Sequence, residues 1–242
     1  MVAGRRAVLE AVRAGIAREV LVAAQARPTE GLRDVLEAAR DAGVRVREVD
    51  RAELDGLAPD HRGVAALARL PEPIGERELA AWPFGDQDLV VVLDGITDPQ
   101  NLGAAARSAE AAGATMVVTR TRRAADVTPV AVRASAGALL HLPRARVANI
   151  PRALARLQEN GFTVVGLSED AEPSIYDVAC PGGRLAIVLG DEGEGLARLT
   201  REACDLLVRL PLRGRVGSLN ASASLAAALF AFVLPAREDG GA

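Results

Sequence analysis

The stretch LVVVLDGITDPQNLGAAARSAEAAG, residues 89–113, decides how the second part of this 242-residue chain is organised. It opens with a continuous apolar run, which is typical of a strand buried on both faces of a sheet. Asp98 and Pro99 then form a natural helix start, an N-cap followed by a first-turn proline. A buried strand, a loop and a helix in this order indicate one unit of a parallel α/β sheet.

The same pattern continues towards the end of the chain, where apolar strand candidates alternate with helix candidates. We therefore predict a mostly parallel sheet with helices on both faces. Ligands of such sheets bind beyond the carboxyl ends of the strands, so the loops that follow the strands are the candidate site. The predicted strands are 89–93, 115–119, 163–167, 185–189 and 206–210, and the predicted helices are 101–112, 150–160, 196–203 and 219–234.

The beginning of the chain forms a smaller α/β pattern of its own. Helices are predicted at 4–14 and 29–42, strands at 20–23, 44–49 and 63–70, and a capping box at Asp50 and Glu53. A segment rich in Pro and Gly follows, with a short helix predicted at 76–81. We expect one domain at 1–70, a linker at 71–88 and a second domain at 89–242.

Composition excludes several classes of protein. Half of the residues are hydrophobic and a quarter are charged, which is typical of a globular chain and not of a disordered or collagenous one. No apolar run reaches the ~18 residues that span a membrane, and the first ten residues hold no signal-peptide core, so we expect a cytoplasmic protein without membrane contact. Two cysteines without CxxC spacing and two histidines argue against a zinc site or a hydrolase triad.

The charge pattern gives no simple indication of a nucleic-acid partner. All 29 basic residues are Arg, and the net charge is −3. Residues 1–75 and 89–242 are each balanced, with 12 and 16 Arg against equal numbers of acids, whereas 76–88 has 1 Arg and 4 acids. Any binding to RNA phosphates must therefore depend on where individual guanidinium groups lie.

Three loops after predicted strands carry polar residues. In the first, Gly103 and Arg107 share a helix face, so the missing side chain at Gly103 leaves space for a ligand beneath Arg107; an ordinary amphipathic helix with a solvated Arg is the alternative. The second, GDEGEG at 190–195, lacks the dinucleotide-binding glycine spacing, and its carboxylates would repel a pyrophosphate. A cationic or neutral ligand such as S-adenosylmethionine fits better, and an acidic turn without a ligand is the alternative.

The third loop, PLRGRVGSLNASAS at 211–224, is irregular and leads into an Ala-rich helix. Ser218 is a candidate N-cap of that helix and also a candidate functional hydroxyl, and the two roles are compatible. Arg213 and Arg215 are candidate RNA contacts, with ordinary surface arginines as an equal explanation.

Together these loops resemble the SpoU/TrmH family of RNA ribose 2′-O-methyltransferases in the SPOUT superfamily. The family's N-x-G-x-x-x-R, G-x-E-x-x-G and P-x-x-G…S-L-N-x-S motifs match residues 101–107, 190–195 and 211–222. His61–Ala65 and residues 93–113 are similar to bacterial 23S rRNA guanosine-2′-O-methyltransferases. Residues 122–139 follow the family pattern only loosely, so the target nucleotide stays open.

The resemblance implies a fold and an assembly. The second domain would be an α/β-knot methyltransferase domain, with a deep trefoil knot in a mostly parallel sheet. The first would be a small RNA substrate-binding domain related to ribosomal protein L7Ae. The protein would be a homodimer with its active site at the subunit interface.

The resemblance also implies residue roles, with S-adenosylmethionine as methyl donor and no metal. Asn101 and Glu192 would orient Arg107 by hydrogen bonds, and Arg107 would assist deprotonation of the ribose hydroxyl or position a phosphate. The implied catalytic residues are Asn101, Arg107, Glu192, Ser218 and Asn220. The implied cofactor-binding residues are Leu189, Gly190, Gly195, Leu210, Leu212, Gly214, Ser218 and Leu219. The implied RNA-binding residues are Arg107, Arg120, Arg122, Arg123, Arg213 and Arg215.

The function that the resemblance implies is methylation of a ribose 2′-hydroxyl, most specifically of a guanosine in 23S rRNA. The alternatives within the family are a tRNA ribose methyltransferase and an antibiotic-resistance rRNA methyltransferase. Outside the family, the alternatives are a non-catalytic rRNA-binding module and a nucleotide-dependent oxidoreductase. The intact motifs argue against the module, and the GDEGEG loop argues against the oxidoreductase.

Overall fold

The computed structural model describes the backbone of residues 1–58, 60–215 and 217–239. The chain divides into two compact units. The first contains residues 1–72 and 127–141, and the second contains residues 73–126 and 142–242. Within the described residues, none of the helices is long and apolar enough to cross a membrane.

The first unit is built on a four-stranded sheet. Its elements from the N-terminal part of the chain are β1 (Val2–Ala3), α1 (Arg5–Arg13), β2 (Ala17–Ala23), α2 (Glu30–Asp41), β3 (Arg45–Val49), α3 (Arg51–Leu57) and β4 (Val64–Ala68). The strand order is β1-β4-β2-β3, with β2 and β3 parallel and β4 antiparallel to both of its neighbours. These elements confirm the helices and strands predicted for residues 4–70.

Two apolar clusters hold this unit together. α1 and α2 bury residues such as Val8 and Val35, and α3 buries Leu54 in a separate cluster with Leu21. Asp50 stands at the N-cap of α3 as predicted, but its side chain makes no capping hydrogen bond. The predicted capping box is therefore wrong in its side-chain contacts.

The remaining elements are α4 (Glu76–Ala80), β5 (Leu89–Asp94), α5 (Pro99–Ala111), β6 (Met116–Arg120), α6 (Pro129–Ala134), β7 (Arg144–Val147), α7 (Ile150–Glu159), β8 (Thr163–Leu167), β9 (Leu185–Gly190), α8 (Arg198–Glu202), β10 (Leu206–Val208), α9 (Ala221–Ala228) and α10 (Leu234–Asp239). A π-helical turn, Leu229–Val233, joins α9 to α10. The six strands β5 to β10 form one sheet in the order β10-β8-β9-β5-β6-β7, and every neighbouring pair is parallel.

The centre of this sheet explains why its strands could be predicted. Every residue of β5 and β9 is buried, as a strand covered on both faces requires. All five predicted strands are present. The sixth, β7, was not predicted, because it lies at the sheet edge and alternates arginines with the buried Ala145 and Val147.

The structure divides the chain differently from the predicted domain boundaries. Residues 73–88 belong to the second unit, since Leu79 and Phe84 are buried in its core and the Ile74 N–H donates to the Arg144 carbonyl. Residues 127–141, which carry α6, belong to the first unit, where Val132 and Leu140 are buried. Proline and glycine predict irregular backbone, but they do not predict which core a segment packs against.

Candidate active site

A pocket opens at the carboxyl edge of the six-stranded sheet, beyond β8 and β9. It is open to solvent on one side, and about 830 Å³ of empty space lies within its walls and open mouth together. Its walls come from the end of β8 with the residues after it, from the GDEGEG loop after β9, and from the loop and first turn of α9, and Arg201 of α8 adds one side chain.

Most of the residues predicted to hold the cofactor line this pocket. They are Leu189, Gly190, Gly195, Leu210, Leu212, Ser218 and Leu219. Gly214 is not among the described residues of the wall. Sequence reasoning missed Leu167, Ser168, Glu169 and Asp170, although they lie at the end of a predicted strand and directly after it, where the rule applied to the other loops would have found them.

The backbone of the GDEGEG loop explains its glycines. Asp191 and Gly195 exchange two backbone hydrogen bonds of 3.0 Å each, which closes the loop on itself. A Cβ atom at Gly190 would collide with the backbone of Gly195 and Leu196. Gly195 has φ +65, in the left-handed region that favours glycine. The spacing of the glycines is therefore a requirement of the turn itself.

The three motif loops meet at the carboxylate of Glu192. Its Oε1 accepts hydrogen bonds from Asn101 Nδ2 at 2.7 Å, from Asn220 Nδ2 at 2.6 Å and from the Ala221 N–H at 3.2 Å. Asn220 Nδ2 also donates to Asn101 Oδ1 at 2.9 Å. Three neutral donors on one oxygen compensate the negative charge without a cation. The structure thus brings Asn101, Glu192 and Asn220 together, as expected of a common site.

At the start of α9, the helix cap and the candidate functional hydroxyl, both predicted for Ser218, belong to different residues. The N-cap is Asn220, whose Oδ1 accepts from the N–H groups of Ser222 at 3.1 Å and Ala223 at 3.3 Å. Ser218 lies before the cap and lines the pocket. The capping role predicted for Ser218 is therefore wrong, and its hydroxyl is a candidate ligand contact only.

Arg107 lies apart from this network. Its side chain is exposed and makes no hydrogen bond or ion pair with a described residue, so the expected bonds from Asn101 and Glu192 to Arg107 are not formed. Asn101 and Arg107 are six residues apart on α5, which places them about 120° apart around the helix axis. Asn101 is on the buried face, and the guanidinium of Arg107 faces solvent.

The predicted RNA-binding arginines fall into two groups. Arg122, Arg123, Arg213 and Arg215 are exposed and make no ion pair with any residue the structure describes. Arg120 differs, because its guanidinium contacts the carboxylate of the buried Asp94.

Among the described residues of the second unit, Cys204 and Asp177 have shifted pKa values. Burial raises the pKa of the Cys204 thiol to about 12, and the charges of Asp205 and Asp94 act in the same direction. This thiol, which donates to the Thr200 carbonyl at 3.2 Å, is therefore protonated at neutral pH and is no nucleophile. Hydrogen bonds from the backbone N–H and side chain of Ser174 lower the pKa of the Asp177 carboxyl.

Known families match both parts of the chain. Residues 88–230 match the SpoU rRNA Methylase family. The chain belongs to the SpoU rRNA methylase family. Residues 1–74 match a second family, described as RNA 2′-O ribose methyltransferase substrate binding. The family predicted from the three motifs is thereby confirmed.

Individual relatives of this SpoU-family chain are similar over most of its length. A Burkholderia protein named 23S rRNA (guanosine-2′-O-)-methyltransferase RlmB is 41% identical over 207 residues, which cover 85% of this chain and 83% of the relative. A Mycolicibacterium vanbaalenii protein, named an uncharacterized tRNA/rRNA methyltransferase, is 41% identical over 92% of this chain and 72% of its own length.

A solved structure has the same fold. It is the SpoU methyltransferase AviRb from Streptomyces viridochromogenes in complex with the cofactor AdoMet. Its TM-score with this SpoU-family chain is 0.79 at 27% sequence identity, and the match covers 100% of this chain and 90% of AviRb.

Proposed function

We propose that this SpoU-family chain transfers a methyl group from S-adenosylmethionine to the ribose 2′-hydroxyl of a guanosine in 23S rRNA. The observation that carries the proposal is the hydrogen-bond network of Asn101, Glu192 and Asn220, which joins all three motif loops beside the pocket. The identity with the Burkholderia relative supports the rRNA target.

The chemistry of the pocket fits S-adenosylmethionine. The wall holds five acidic residues and one basic residue, Arg201, whose charge is paired with Asp170 at 3.1 Å. A net negative wall favours a ligand with a sulfonium and an amino group, and no phosphate. Leucines of the wall, among them Leu167, Leu196 and Leu210, offer apolar surface for an adenine ring. When bound, this donor supplies a methyl group that is activated by the positive sulfur.

The exposed Arg107 supplies the polar group for the RNA. A ribose hydroxyl is a poor nucleophile until it loses its proton. A guanidinium carries five N–H donors and no acceptor, so we assign Arg107 the role of a hydrogen-bond donor. It orients a substrate phosphate and stabilises the negative charge that develops on the 2′ oxygen. The hydrogen bonds to Glu192 fix the positions of α5, the GDEGEG loop and α9 relative to one another.

The remaining features of the proposal concern partners and location. The substrate is 23S rRNA or its precursor, bound through Arg122, Arg123, Arg213 and Arg215 together with the first unit. The protein works in the cytoplasm as a homodimer whose active site lies at the subunit interface. The exposed Leu212 and Leu219 in the pocket wall support a partner surface there.

The test is methylation of stripped 23S rRNA and of tRNA with isotope-labelled donor, followed by mapping of the modified ribose. We expect Arg107→Ala to bind S-adenosylmethionine in calorimetry with wild-type affinity and to lose methylation. Arg156→Ala, which removes an arginine paired with Glu159 on α7, is the matched control and should keep full activity. Full activity of Arg107→Ala would overturn the assignment.

A tRNA target is the second candidate, because the Mycolicibacterium relative is named for tRNA or rRNA. The same assay separates the two. Label in tRNA and not in 23S rRNA would replace the rRNA target and leave the reaction type intact.

A further inference from the structure

A buried ion pair lies at the carboxyl edge of the six-stranded sheet. Asp94 is the last residue of β5, whose other residues are all apolar, and its side chain has 0% exposure. The guanidinium of Arg120, the last residue of β6, contacts Asp94 Oδ1, and the Arg120 side chain is 29% exposed. The pair therefore runs from the centre of the sheet to the surface.

Stability does not account for this pair. A carboxylate at such a position loses its hydration, which is unfavourable. An ion pair offsets this desolvation cost only when its geometry is good and further hydrogen bonds reach the carboxylate. The contact with Arg120 pairs the charges without the alignment of a hydrogen bond, and both carboxylate oxygens lack a hydrogen-bond donor among the described residues. Apolar residues at both positions would serve the fold at least as well.

The position of the pair suggests what it does. Across the sheet, Asp94 pairs with Gly190, which lines the pocket. The loop after Asp94 leads into α5, which carries Asn101 and Arg107, and the loop after Arg120 carries the exposed Arg122 and Arg123. The Ala125 N–H donates to the Ile96 carbonyl at 2.8 Å and joins the two loops. The ion pair therefore lies where two connected loops begin, one leading into α5 and the other carrying the exposed Arg122 and Arg123.

We propose that Asp94 is a positioning residue that holds the Arg120 guanidinium as a preformed contact for a phosphate of the RNA substrate. A guanidinium has five N–H donors in a planar fork, so one edge can face Asp94 while the exposed remainder binds a phosphate. Anchoring removes rotamer freedom before the RNA binds, which lowers the entropic cost of the contact. The proposal rests on the proposed function and assigns a role to a residue outside all three motifs.

The test is a double-mutant cycle of Asp94→Asn and Arg120→Gln, read as the dissociation constant for in vitro transcribed 23S rRNA in filter binding. We expect each single variant to weaken binding about tenfold, in line with the loss of one charge-assisted hydrogen bond. The double variant should bind no more weakly than Arg120→Gln alone, because Asp94 acts only through Arg120. Loss of Arg120 should also lower the salt slope of binding by about one.

Two further readouts separate positioning from a structural role. Affinity for S-adenosylmethionine should stay at the wild-type value in all three variants, and Arg156→Gln should leave RNA affinity unchanged. Arg120→Gln leaves the buried charge of Asp94 uncompensated and should lower the melting temperature, whereas the double variant is neutral at both positions and should regain the wild-type melting temperature.

The double variant decides the outcome. Weakened RNA binding at a wild-type melting temperature supports the proposal. Wild-type RNA affinity in that variant, or additive effects of the two single changes, overturns it. If the wild type binds this RNA without methylating it, the proposed function fails, while the affinity cycle still tests the role of Asp94.

Discussion

Gly190 is a motif residue whose identity the backbone geometry requires, because there is no space for a Cβ atom at this position. It ends β9 where the GDEGEG loop folds back, and the atoms nearest to an added Cβ belong to backbone, which cannot move aside as a side chain can. A one-carbon change here acts on the shape of the pocket wall as well as on stability.

We expect Gly190→Ala to open this turn, to abolish binding of S-adenosylmethionine in calorimetry, and to lower the free energy of unfolding by roughly 1–3 kcal/mol, as overpacking does. Gly182→Ala is the matched control, since an added Cβ there meets nothing within 4 Å and its φ is not positive. Wild-type donor affinity in Gly190→Ala would show that the pocket does not depend on this turn.

Single residues also show where sequence reasoning ends. The glycine and polar positions of the motifs were predictable, because each residue type is restricted by backbone geometry or by chemistry. The surroundings of Arg107 and Arg120 were not predictable. Which side chain an arginine meets depends on the helix face and on the neighbouring strand, and neither Asp94 nor the solvent-facing direction of Arg107 is encoded in motif spacing.

At the scale of elements, one residue at the start of α9, Asn220, contributes both to the stability of the helix and to the hydrogen-bond network of the site. Asn220 caps the helix with its Oδ1 and supplies Nδ2 to Asn101 and Glu192. The cap acts on helix stability, and the amide donor acts on the network, so the two contributions can be separated by substitution.

Asn220→Ser should keep the cap, since Ser caps about as well as Asn, while it removes the amide donor. We expect a melting temperature close to the wild-type value and a clear loss of methylation. Asn220→Ala removes both functions and should in addition lower the free energy of unfolding by about 1 kcal/mol. Thermal melts and single-turnover methylation of the two variants check this. Equal activity losses without any difference in melting would contradict the capping role.

The elements differ in how far the sequence predicts them. β5, apart from its last residue Asp94, and β9 are apolar, and both were predicted to within one residue, because burial on both faces leaves no room for alternation. The helix predicted at 219–234 begins at Ala221 and becomes π-helical at Leu229–Val233. A run of Ala and Leu satisfies either helix type, so packing selects the hydrogen-bond pattern.

At the scale of the whole molecule, the three motifs predicted the family and the place of the pocket, because parallel strands bring their carboxyl ends to one edge. They did not predict that residues 127–141 join the first unit, since that depends on packing between distant segments. The trefoil knot and the homodimer are implied by the resemblance alone and stay predictions.

The homodimer can be tested through the apolar side chains that the second unit exposes. Phe230, in the π-helical turn, is 50% exposed, and Leu212 and Leu219 of the pocket wall are 41% and 43% exposed. Burial of such side chains against a second copy would stabilise the dimer by about 25 cal/mol per Å² of buried apolar surface, less the free-energy cost of association. We expect sedimentation equilibrium to give twice the 25.2 kDa of one chain.

Phe230→Glu would place a charge in that interface, and a charge buried without a partner is strongly unfavourable. We expect this variant to sediment as a monomer and to lose methylation if the site is completed by the partner subunit. Leu67→Glu, at a residue of the first unit that is 43% exposed, should remain dimeric. A monomeric wild type would refute the dimer, and a dimeric Phe230→Glu with full activity would exclude an interface at the π-helical turn.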